Sequence, residues 1–155
     1  MGRAKASITV PGRAADAEEL WYDPHRWQAW VDGFGHVVLL DDGWPRRGAE
    51  LVWQSPPGGR GRVTERVVAY EMRLGQTVEV DDATITGRQT VEFEPGLESV
   101  GVTLSLEYRI KDRTPLTPVV DLLFVRRAMA DALRRTVTRF SNERKAEIQF
   151  GAGRR

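Results

Sequence analysis

Polar side chains that could do chemistry occur on strand faces that are otherwise apolar. Glu65, Gln76, Gln89 and Tyr108 each alternate with aliphatic residues, so their side chains would point to the same side of a sheet as the hydrocarbon. A carboxyl, amide or hydroxyl group buried without a partner costs about 1–3 kcal/mol. These residues therefore indicate either a ligand pocket or a network of bonded partners inside the core.

Arg126 is the candidate partner of these groups. It lies near the middle of the apolar stripe of a C-terminal helix, where a purely structural helix would prefer leucine. Turned inward, it could pair with Glu65 or Gln89 and orient an anionic or carbonyl-bearing ligand. The alternative is that Arg126 extends to the cavity rim, while the glutamines bond each other or trapped water.

The predicted ligand-binding residues combine these polar groups with apolar residues from the same inner faces. They are Trp53, Glu65, Gln76, Gln89, Val91, Leu104, Tyr108, Arg126, Met129 and Leu133. Within this set, Glu65, Arg126 and Tyr108 are the candidates for polarising a carbonyl group or moving a proton.

The five tryptophans do not all favour the pocket. Trp21, Trp27 and Trp30 are assigned to helices that brace the sheet, and Trp44 to a hairpin tip. Trp53 is therefore the tryptophan predicted to line the cavity.

Two histidines and no cysteine exclude much enzyme chemistry. Disulfide frameworks, thiol nucleophiles and zinc fingers need cysteine, and the two-histidine zinc helix needs histidines one helical turn apart, which His25 and His36 are not. His36 opens a strand and is interpreted as an exposed residue, because no carboxylate at a fixed spacing would orient it as a base. His25 is interpreted as helical surface. No metal and no cofactor is expected.

The elements that must position these residues follow from the period of the pattern. A first strand at Ser7–Val10 precedes two short helices, Ala14–Trp21 and His25–Val31. Period-two alternation with short turns then predicts six antiparallel strands. These strands are 37–41, 50–55, 62–70, 76–81, 83–93 and 99–110.

Strand parity assigns the inner faces. Apolar alternation places Val100, Val102, Leu104, Leu106 and Tyr108 on one face of the last strand. The same reasoning gives an inner face to each of the other long strands, and the inward residues are Ile85, Gly87, Gln89, Val91, Phe93, Gln76, Val78, Val80, Val63, Glu65, Val67, Ala69, Leu51 and Trp53. For strand 62–70 the alternative is a bulge that switches parity and turns Val68 or Tyr70 inward.

After Pro118 the period becomes 3.6 and predicts one long amphipathic helix to about Glu147. About 30 residues at a 1.5 Å rise give roughly 45 Å, with Thr117 as the N-cap residue. The predicted core stripe is Val119, Leu122, Leu123, Met129, Ala130, Leu133, Val137 and Phe140. The outer face carries basic residues, namely Arg127, Arg134, Arg135, Arg139, Arg144 and Lys145.

Charge is divided unevenly along the chain. Residues 1–110 carry a formal charge of −5 and residues 111–155 carry +6. A basic segment can meet phosphate, but this one is also amphipathic, which favours docking against the acidic body. The Gly58–Arg62 segment enters a strand and lacks the Lys-Ser/Thr of a phosphate loop, so it is interpreted as a flexible hairpin tip that could gate a cavity mouth.

The order of elements predicts an α+β fold in which a seven-stranded antiparallel sheet wraps around the C-terminal helix. The sequence resembles the START/Bet v 1-like helix-grip (SRPBCC) superfamily, in its bacterial polyketide cyclase/dehydrase-like branch. The resemblance is carried by Pro11, Ala17–Trp21, Asp23–Trp30, Gly61–Glu65 and the long last helix. Residues 1–150 are expected to form one helix-grip domain, with 151–155 as a disordered tail.

The resemblance implies an internal cavity for a hydrophobic or amphipathic molecule such as a polyketide, lipid, isoprenoid or aromatic compound. A carrier or sensor is the first hypothesis, and a cofactor-independent cyclase/dehydratase using the same cavity is the second. The third is an RNA, ribosome or acidic-membrane interaction through the basic helix face, although nucleic acid is disfavoured because that face lacks stacking aromatics. We expect a cytoplasmic monomer or homodimer with possible peripheral membrane contact, and Phe124 and Val125 as a potential dimer contact.

Overall fold

The computed structural model describes residues 1–111 and 119–152. Seven strands and three helices occupy this part of the chain. The strands are β1 (Gly2–Pro11), β2 (His36–Leu40), β3 (Glu50–Gln54), β4 (Arg62–Glu71), β5 (Gly75–Asp81), β6 (Ile85–Pro95) and β7 (Ser99–Ile110). The helices are α1 (Ala14–Trp21), the 3₁₀ helix α2 (Pro24–Ala29) and the long helix α3 (Val119–Ala152).

All seven strands form one antiparallel sheet in the order β1-β7-β6-β5-β4-β3-β2. Strands β2 to β7 follow one another as a meander, and β1 closes the far edge by pairing with β7. The amphipathic helix α3 packs chiefly along β1, and α1 and α2 cover the other end of the concave face. This architecture confirms the predicted helix-grip fold.

Strand parity is confirmed along most of the sheet. The inner residues of β7 are at most 3% exposed, and Ile85, Val91 and Phe93 of β6 are equally buried. Aromatic rings fill the space between this face and the helices: Trp21 lies 4.6 Å from Trp30 between ring centroids. Phe140 of α3 lies 5.0 Å from each of these two rings. The aromatic cluster joins all layers of the domain.

One strand changes parity as the bulge alternative requires. The register of β4 against β5 shifts between Val67 and Ala69. Val67 is buried, whereas Ala69 is exposed and Tyr70 is half-buried. The expectation that Ala69 points inward is therefore wrong, because the extra residue turns Tyr70 toward the core, where its ring packs 5.6 Å from Tyr22.

The helices also differ from expectation in detail. Asp23 caps α2 by accepting a hydrogen bond from the His25 amide, and the helix is a 3₁₀ helix that ends at Ala29. Leu123 is 57% exposed, so its assignment to the core stripe of α3 is wrong. Leu133, Val137 and Phe140 of the same predicted stripe are buried, as expected.

The C-terminal helix is longer than the periodicity predicts. It continues through Ala152, so the first two residues of the expected tail are helical. The predicted cap at Thr117 and Pro118 lies outside the described residues, as does the segment 153–155. In the part of α3 that is described, Phe124 is 73% exposed and Val125 is half-buried.

A glycine on the inner face of β6 lies where the backbone of β7 approaches closely. A Cβ at Gly87 would lie 2.1 Å from the carbonyl oxygen of Glu107 and 2.8 Å from Cα of Tyr108, both backbone atoms of β7. These atoms cannot move independently of the β6–β7 ladder. Only glycine fits at this close approach of two strands.

Gly87→Ala is expected to lower the free energy of unfolding by about 1–3 kcal/mol, the range for overpacking in a close-packed interior. Urea denaturation followed by circular dichroism measures this change. Gly43→Ala is the matched control, because its Cβ would have only the Ala49 side chain, at 3.9 Å, as a neighbour. Equal stability of the two variants would contradict the proposed close approach.

Candidate functional site: a cavity beneath the C-terminal helix

A small cavity lies between the inner face of the sheet and α3. Its volume is about 60 Å³, and its lining comes from α1, α2, the 31–32 loop, strands β3 to β7 and α3. The lining residues are Trp21, Trp27, Trp30, Val31, Asp32, Trp53, Arg60, Val63, Glu65, Gln76, Val78, Val80, Gln89, Val91, Leu104, Ala132, Leu133 and Thr136. The lining residues that are only half-buried mark where the cavity meets the surface, and they are Val31, Asp32, Arg60, Gln89 and Ala132.

The structure brings together seven of the ten residues predicted to bind a ligand. The seven are Trp53, Glu65, Gln76, Gln89, Val91, Leu104 and Leu133. Tyr108, Arg126 and Met129 do not line this cavity. Tyr108 is buried in the core. Met129 is partly buried and packs against the core.

The aromatic wall of the cavity is larger than predicted. Trp21, Trp27 and Trp30 line it together with Trp53, which corrects their assignment to bracing alone. Trp21 of α1, Trp27 of α2 and Trp30 just after α2 are core residues. Their indole rings therefore pack in the core and also line the cavity. The Trp30 indole nitrogen is buried without a hydrogen-bond partner among the described residues. Tyr22 Oη and Arg144 Nε, which do not line the cavity, have no partner among the described residues either, so this donor does not by itself mark a ligand contact.

Glu65 is the only carboxyl group on the inner face of β4. Its Oε2 accepts a 2.7 Å hydrogen bond from the Trp53 indole nitrogen, and the residue is 6% exposed. Burial raises the pKa of Glu65, while the Trp53 bond and the nearby Arg60 charge oppose that shift. The cavity wall therefore carries a carboxyl group whose uncharged form is favoured relative to a glutamate in water.

Arg60 stands at the mouth and was not identified from the sequence. Its guanidinium carbon lies 5.5 Å from the centroid of the Trp53 ring, and its Nε donates a 2.8 Å hydrogen bond to Oδ2 of Asp82. The Asp82 side chain is 1% exposed, and its Oδ1 accepts from the amides of Thr84 and Ile85. The sequence places Arg60 in a glycine-rich segment that is predicted to be a hairpin tip. Its partner Asp82 is 22 residues away, and only the fold brings the two together.

The hairpin tip that contains Arg60 is held by its own hydrogen bonds. The Ser55 amide donates to the Gly61 carbonyl at 2.8 Å, and the Gly61 amide donates to Ser55 Oγ at 2.8 Å. These bonds and the Arg60–Asp82 ion pair give the tip a defined position beside the cavity. Its predicted role as a gate stays a prediction.

The glutamines on the inner face meet different partners. Gln76 is 6% exposed, and its amide nitrogen donates to the Pro45 carbonyl at 3.0 Å. Gln89 is half-buried on β6 and lines the cavity between Val91 and the mouth. Gln76 is thus bonded to the β2–β3 connection, whereas Gln89 lines the cavity with no side-chain hydrogen bond to another described residue.

Arg126 does not join Glu65 or Gln89. It is exposed on α3, two turns before Leu133, and borders a separate depression of about 170 Å³ with Tyr108, Ile110 and Leu122. The predicted inward cluster is therefore wrong, because the helix crosses the sheet so that position 126 faces its rim. Burial raises the pKa of Tyr108, and the Arg126 charge opposes that shift.

A charged clasp ties the loop after α2 to the C-terminal helix at the mouth. Asp32 accepts from Arg135 Nε at 3.0 Å, from Arg135 Nη2 at 3.2 Å and from Arg139 Nη1 at 3.2 Å. The Asp32 amide also donates to Thr136 Oγ1 at 3.0 Å. This clasp lies directly beside the cavity, because Asp32 and Thr136 also line it.

The basic outer face of α3 is thus less open than predicted. Arg135 and Arg139 pair with the loop, and Arg134 lies 3.5 Å from Asp131. Arg144 is 4% exposed, so its assignment to the solvated face is wrong. It instead donates to Glu147 at 2.6 Å and to the Pro11 carbonyl at 3.3 Å. This arrangement matches the alternative in which the basic segment docks on the acidic body.

The remaining candidates lie away from the cavity. His36 and His25 are both exposed. Trp44 lies in the β2–β3 connection, where it is half-buried and its indole nitrogen donates to the Tyr22 carbonyl at 3.0 Å. Among the described residues, no group of three or more histidine or acidic side chains could hold a metal ion. None of the described helices is both long and apolar enough to cross a bilayer.

The fold and the lined cavity define a class of protein built to bind hydrophobic ligands between a curved sheet and a long helix. The chain belongs to the polyketide cyclase/dehydrase and lipid transport family, whose model matches residues 1–143. Comparison with curated proteins gives no match. The family assignment confirms the resemblance drawn from the sequence.

Solved structures show the same fold at low sequence identity. A START superfamily protein from Mycobacterium smegmatis is 11% identical, with a TM-score of 0.76 over 94% of this chain and 99% of that one. The protein TTHA0849 from Thermus thermophilus is 14% identical, with a TM-score of 0.70 over 94% and 98%. Norcoclaurine synthase from Thalictrum flavum is 21% identical, with a TM-score of 0.56 over 84% and 83%.

The raised pKa of Glu65 predicts how stability depends on pH. The folded protein holds this proton more tightly than the unfolded chain, whose glutamate titrates near 4.5. The stability that Glu65 contributes is therefore fully present below that pH and is lost as the pH rises through the folded-state pKa. Glu65→Gln removes this loss, so the variant should gain stability relative to the wild type as pH increases, by at most about 1.4 kcal/mol per pH unit.

Urea denaturation at a series of pH values from about 4 to about 8 measures the difference, a range that starts near the ordinary glutamate pKa. Glu92→Gln on the exposed face of β6 is the matched control, and its curve should run parallel to that of the wild type. A parallel curve for Glu65→Gln as well would show that burial does not perturb this carboxyl group.

Proposed function

We propose that this protein binds a small hydrophobic or amphipathic molecule between the sheet and α3, as a carrier or a sensor. The observation that carries the proposal is the cavity itself, which combines four indole walls with a few convergent polar groups. Glu65, Gln89 and Arg60 supply those groups. Ligand sites generally have this composition, with apolar walls for affinity and a few polar groups for orientation.

The size of the cavity requires that the mouth opens before a ligand enters. About 60 Å³ is less than the ~150 Å³ that accommodates benzene in an engineered cavity. The part of the mouth that can move is the Asp32 clasp, whose arginine side chains are about half exposed, so its ion pairs are weaker than buried apolar contacts. The Arg60 side of the mouth is anchored by Asp82, whose side chain is 1% exposed.

Binding of a neutral fluorescent probe tests the proposal. N-phenylnaphthylamine should bind the wild type with enhanced emission and should quench tryptophan fluorescence, because four indole rings line the cavity. Ala132→Phe places a ring at the mouth and should reduce probe affinity by roughly tenfold or more, since a filled site loses the apolar area that binds the probe.

Thr138→Phe is the matched control, because Thr138 is exposed on α3 and does not line the cavity. It should leave probe affinity unchanged and therefore separate cavity binding from adsorption to an added surface ring. Near-ultraviolet circular dichroism checks that both variants retain wild-type packing. Equal affinities for the two variants would overturn the proposal.

Proton transfer in the same cavity is a second candidate function, and Glu65 is the observation that favours it. A carboxyl group buried in an apolar wall and oriented by an indole N–H can act as an acid or a base toward a bound carbonyl compound. The chemistry would be enolisation: the carboxylate removes a proton from the carbon next to the carbonyl and returns one to the same carbon. No cofactor is needed for this step.

Deuterium exchange into β-tetralone, followed by nuclear magnetic resonance, tests the second candidate. Exchange should be faster with the wild type than in buffer, and Glu65→Gln should abolish the excess while retaining ketone binding, because glutamine keeps the Trp53 contact but cannot take a proton. Glu92→Gln should exchange as the wild type does. Wild-type exchange in Glu65→Gln would rule out Glu65 as the base.

A further inference from the structure

Arg60 has an unusual combination of contacts at the cavity mouth. Its Nε is committed to Oδ2 of Asp82, and its guanidinium lies over the Trp53 ring. Within residues 1–111 and 119–152, no hydrogen-bond partner is found for its two Nη atoms. The side chain is 30% exposed and lines the cavity. The guanidinium is thus held in place while part of its donor set remains available.

Asp82 acts as a positioning residue for this guanidinium. Its carboxylate is 1% exposed and accepts two backbone amides, at 2.7 and 2.9 Å, besides the Arg60 bond. Lys111 also donates to the Asp82 carbonyl at 2.6 Å. A buried aspartate with this many partners cannot follow Arg60 outward, so it anchors the guanidinium above Trp53 and beside the cavity.

We propose that the ligand of this cavity is an amphipathic carboxylic acid, and that Arg60 is the residue that selects its carboxylate over a neutral group. This inference rests on the proposed function and adds the chemical class of the ligand. The apolar body would lie against the indole walls, and the carboxylate would accept hydrogen bonds from the Arg60 Nη atoms at the mouth. Guanidinium groups bind carboxylates through paired N–H donors of this kind.

The neighbouring charges favour an anion over a cation at this place. A cationic head group would be repelled by Arg60, and the Asp32 carboxylate that also lines the cavity is already paired with Arg135 and Arg139. Glu65 is a second carboxyl group in the cavity wall, and burial raises its pKa, which weakens the attraction it would have for a cation.

A matched pair of probes tests the selection. Naphthoate and naphthamide share one aromatic body and one carbonyl group, and only naphthoate is charged. Isothermal titration calorimetry at physiological salt measures both affinities for the wild type. The wild type should bind naphthoate roughly tenfold or more tightly than naphthamide, because hydrogen bonds to charged groups contribute more than neutral ones.

Arg60→Met keeps the aliphatic stem over Trp53 and removes the guanidinium. It should abolish the preference for naphthoate while changing naphthamide affinity by less than about threefold, since the apolar body still finds its walls. Arg62→Met is the matched control, because Arg62 lies two residues away and is exposed. It removes the same charge and should leave the preference intact.

The outcomes separate this inference from the proposed function. If neither probe binds the wild type, or Ala132→Phe does not block both, the cavity proposal itself fails. If naphthamide binds as well as naphthoate, the cavity proposal stands and the acid is excluded. An equal loss of the preference in Arg60→Met and Arg62→Met would assign the effect to overall charge and overturn the role of Arg60.

A measurement on the unmodified protein covers the case in which Arg60→Met does not fold. The Arg60 Nε–H signal in a nitrogen-proton correlation spectrum should shift on titration with naphthoate and stay in place with naphthamide. The bond to Asp82 slows exchange of this proton and makes it observable. An unchanged signal at saturating naphthoate would overturn the assignment of Arg60 as the contact.

Discussion

The rest of the structure depends on burying the apolar stripe of one long helix inside a single curved sheet. A helix and a concave antiparallel sheet cannot match each other along their whole length, because the sheet diverges from the helix where it bends. Aromatic rings from α1, α2 and α3 close most of this gap, with Trp21, Trp30 and Phe140 in mutual contact. The space that remains is the cavity.

Glu65, Gln76 and Arg60 in the cavity wall are each held by a partner from a different element. The Trp30 indole nitrogen, by contrast, has no partner among the described residues. Trp53 on β3 bonds Glu65 on the adjacent strand, and Gln76 on β5 bonds the β2–β3 connection. Arg60 is held by Asp82 across the β3–β4 and β5–β6 turns. The wall is therefore rigid at these three polar points, and motion is left to the charged clasp at the mouth. This division suits a site that must admit a ligand and still orient it.

The apolar face and the basic face of the long helix have different partners, and both faces contact other parts of the domain. Its apolar residues enter the sheet, while Arg135, Arg139 and Arg144 bond the loop after α2 or the end of β1. Basic residues of the C-terminal segment thus bond to groups of the acidic N-terminal segment within one domain. Positive charge that looked available to phosphate is in large part committed to the protein itself.

The sequence by itself determined the fold class, the order of elements and most inner faces. Period-two and period-3.6 patterns are local, and burial of the apolar side leaves one solution for each long strand. Six of the ten predicted ligand-binding residues follow from strand parity and line the cavity, and a seventh, Leu133, follows from the helical stripe. Parity failed at the β4 bulge, where the pattern left two alternatives open and the extra residue turned Tyr70, not Ala69, toward the core.

Only the tertiary structure decided which of these residues meet. The outward position of Arg126, the replacement of that arginine by Arg60 at the cavity, and the added walls from Trp21, Trp27 and Trp30 all depend on how elements distant in sequence cross. Asp82 stands 22 positions from Arg60, and Asp32 stands 103 from Arg135. Periodicity reports which way a side chain points relative to its own strand or helix. It contains no information on what faces that side chain, which is set by the helix crossing and the sheet curvature together.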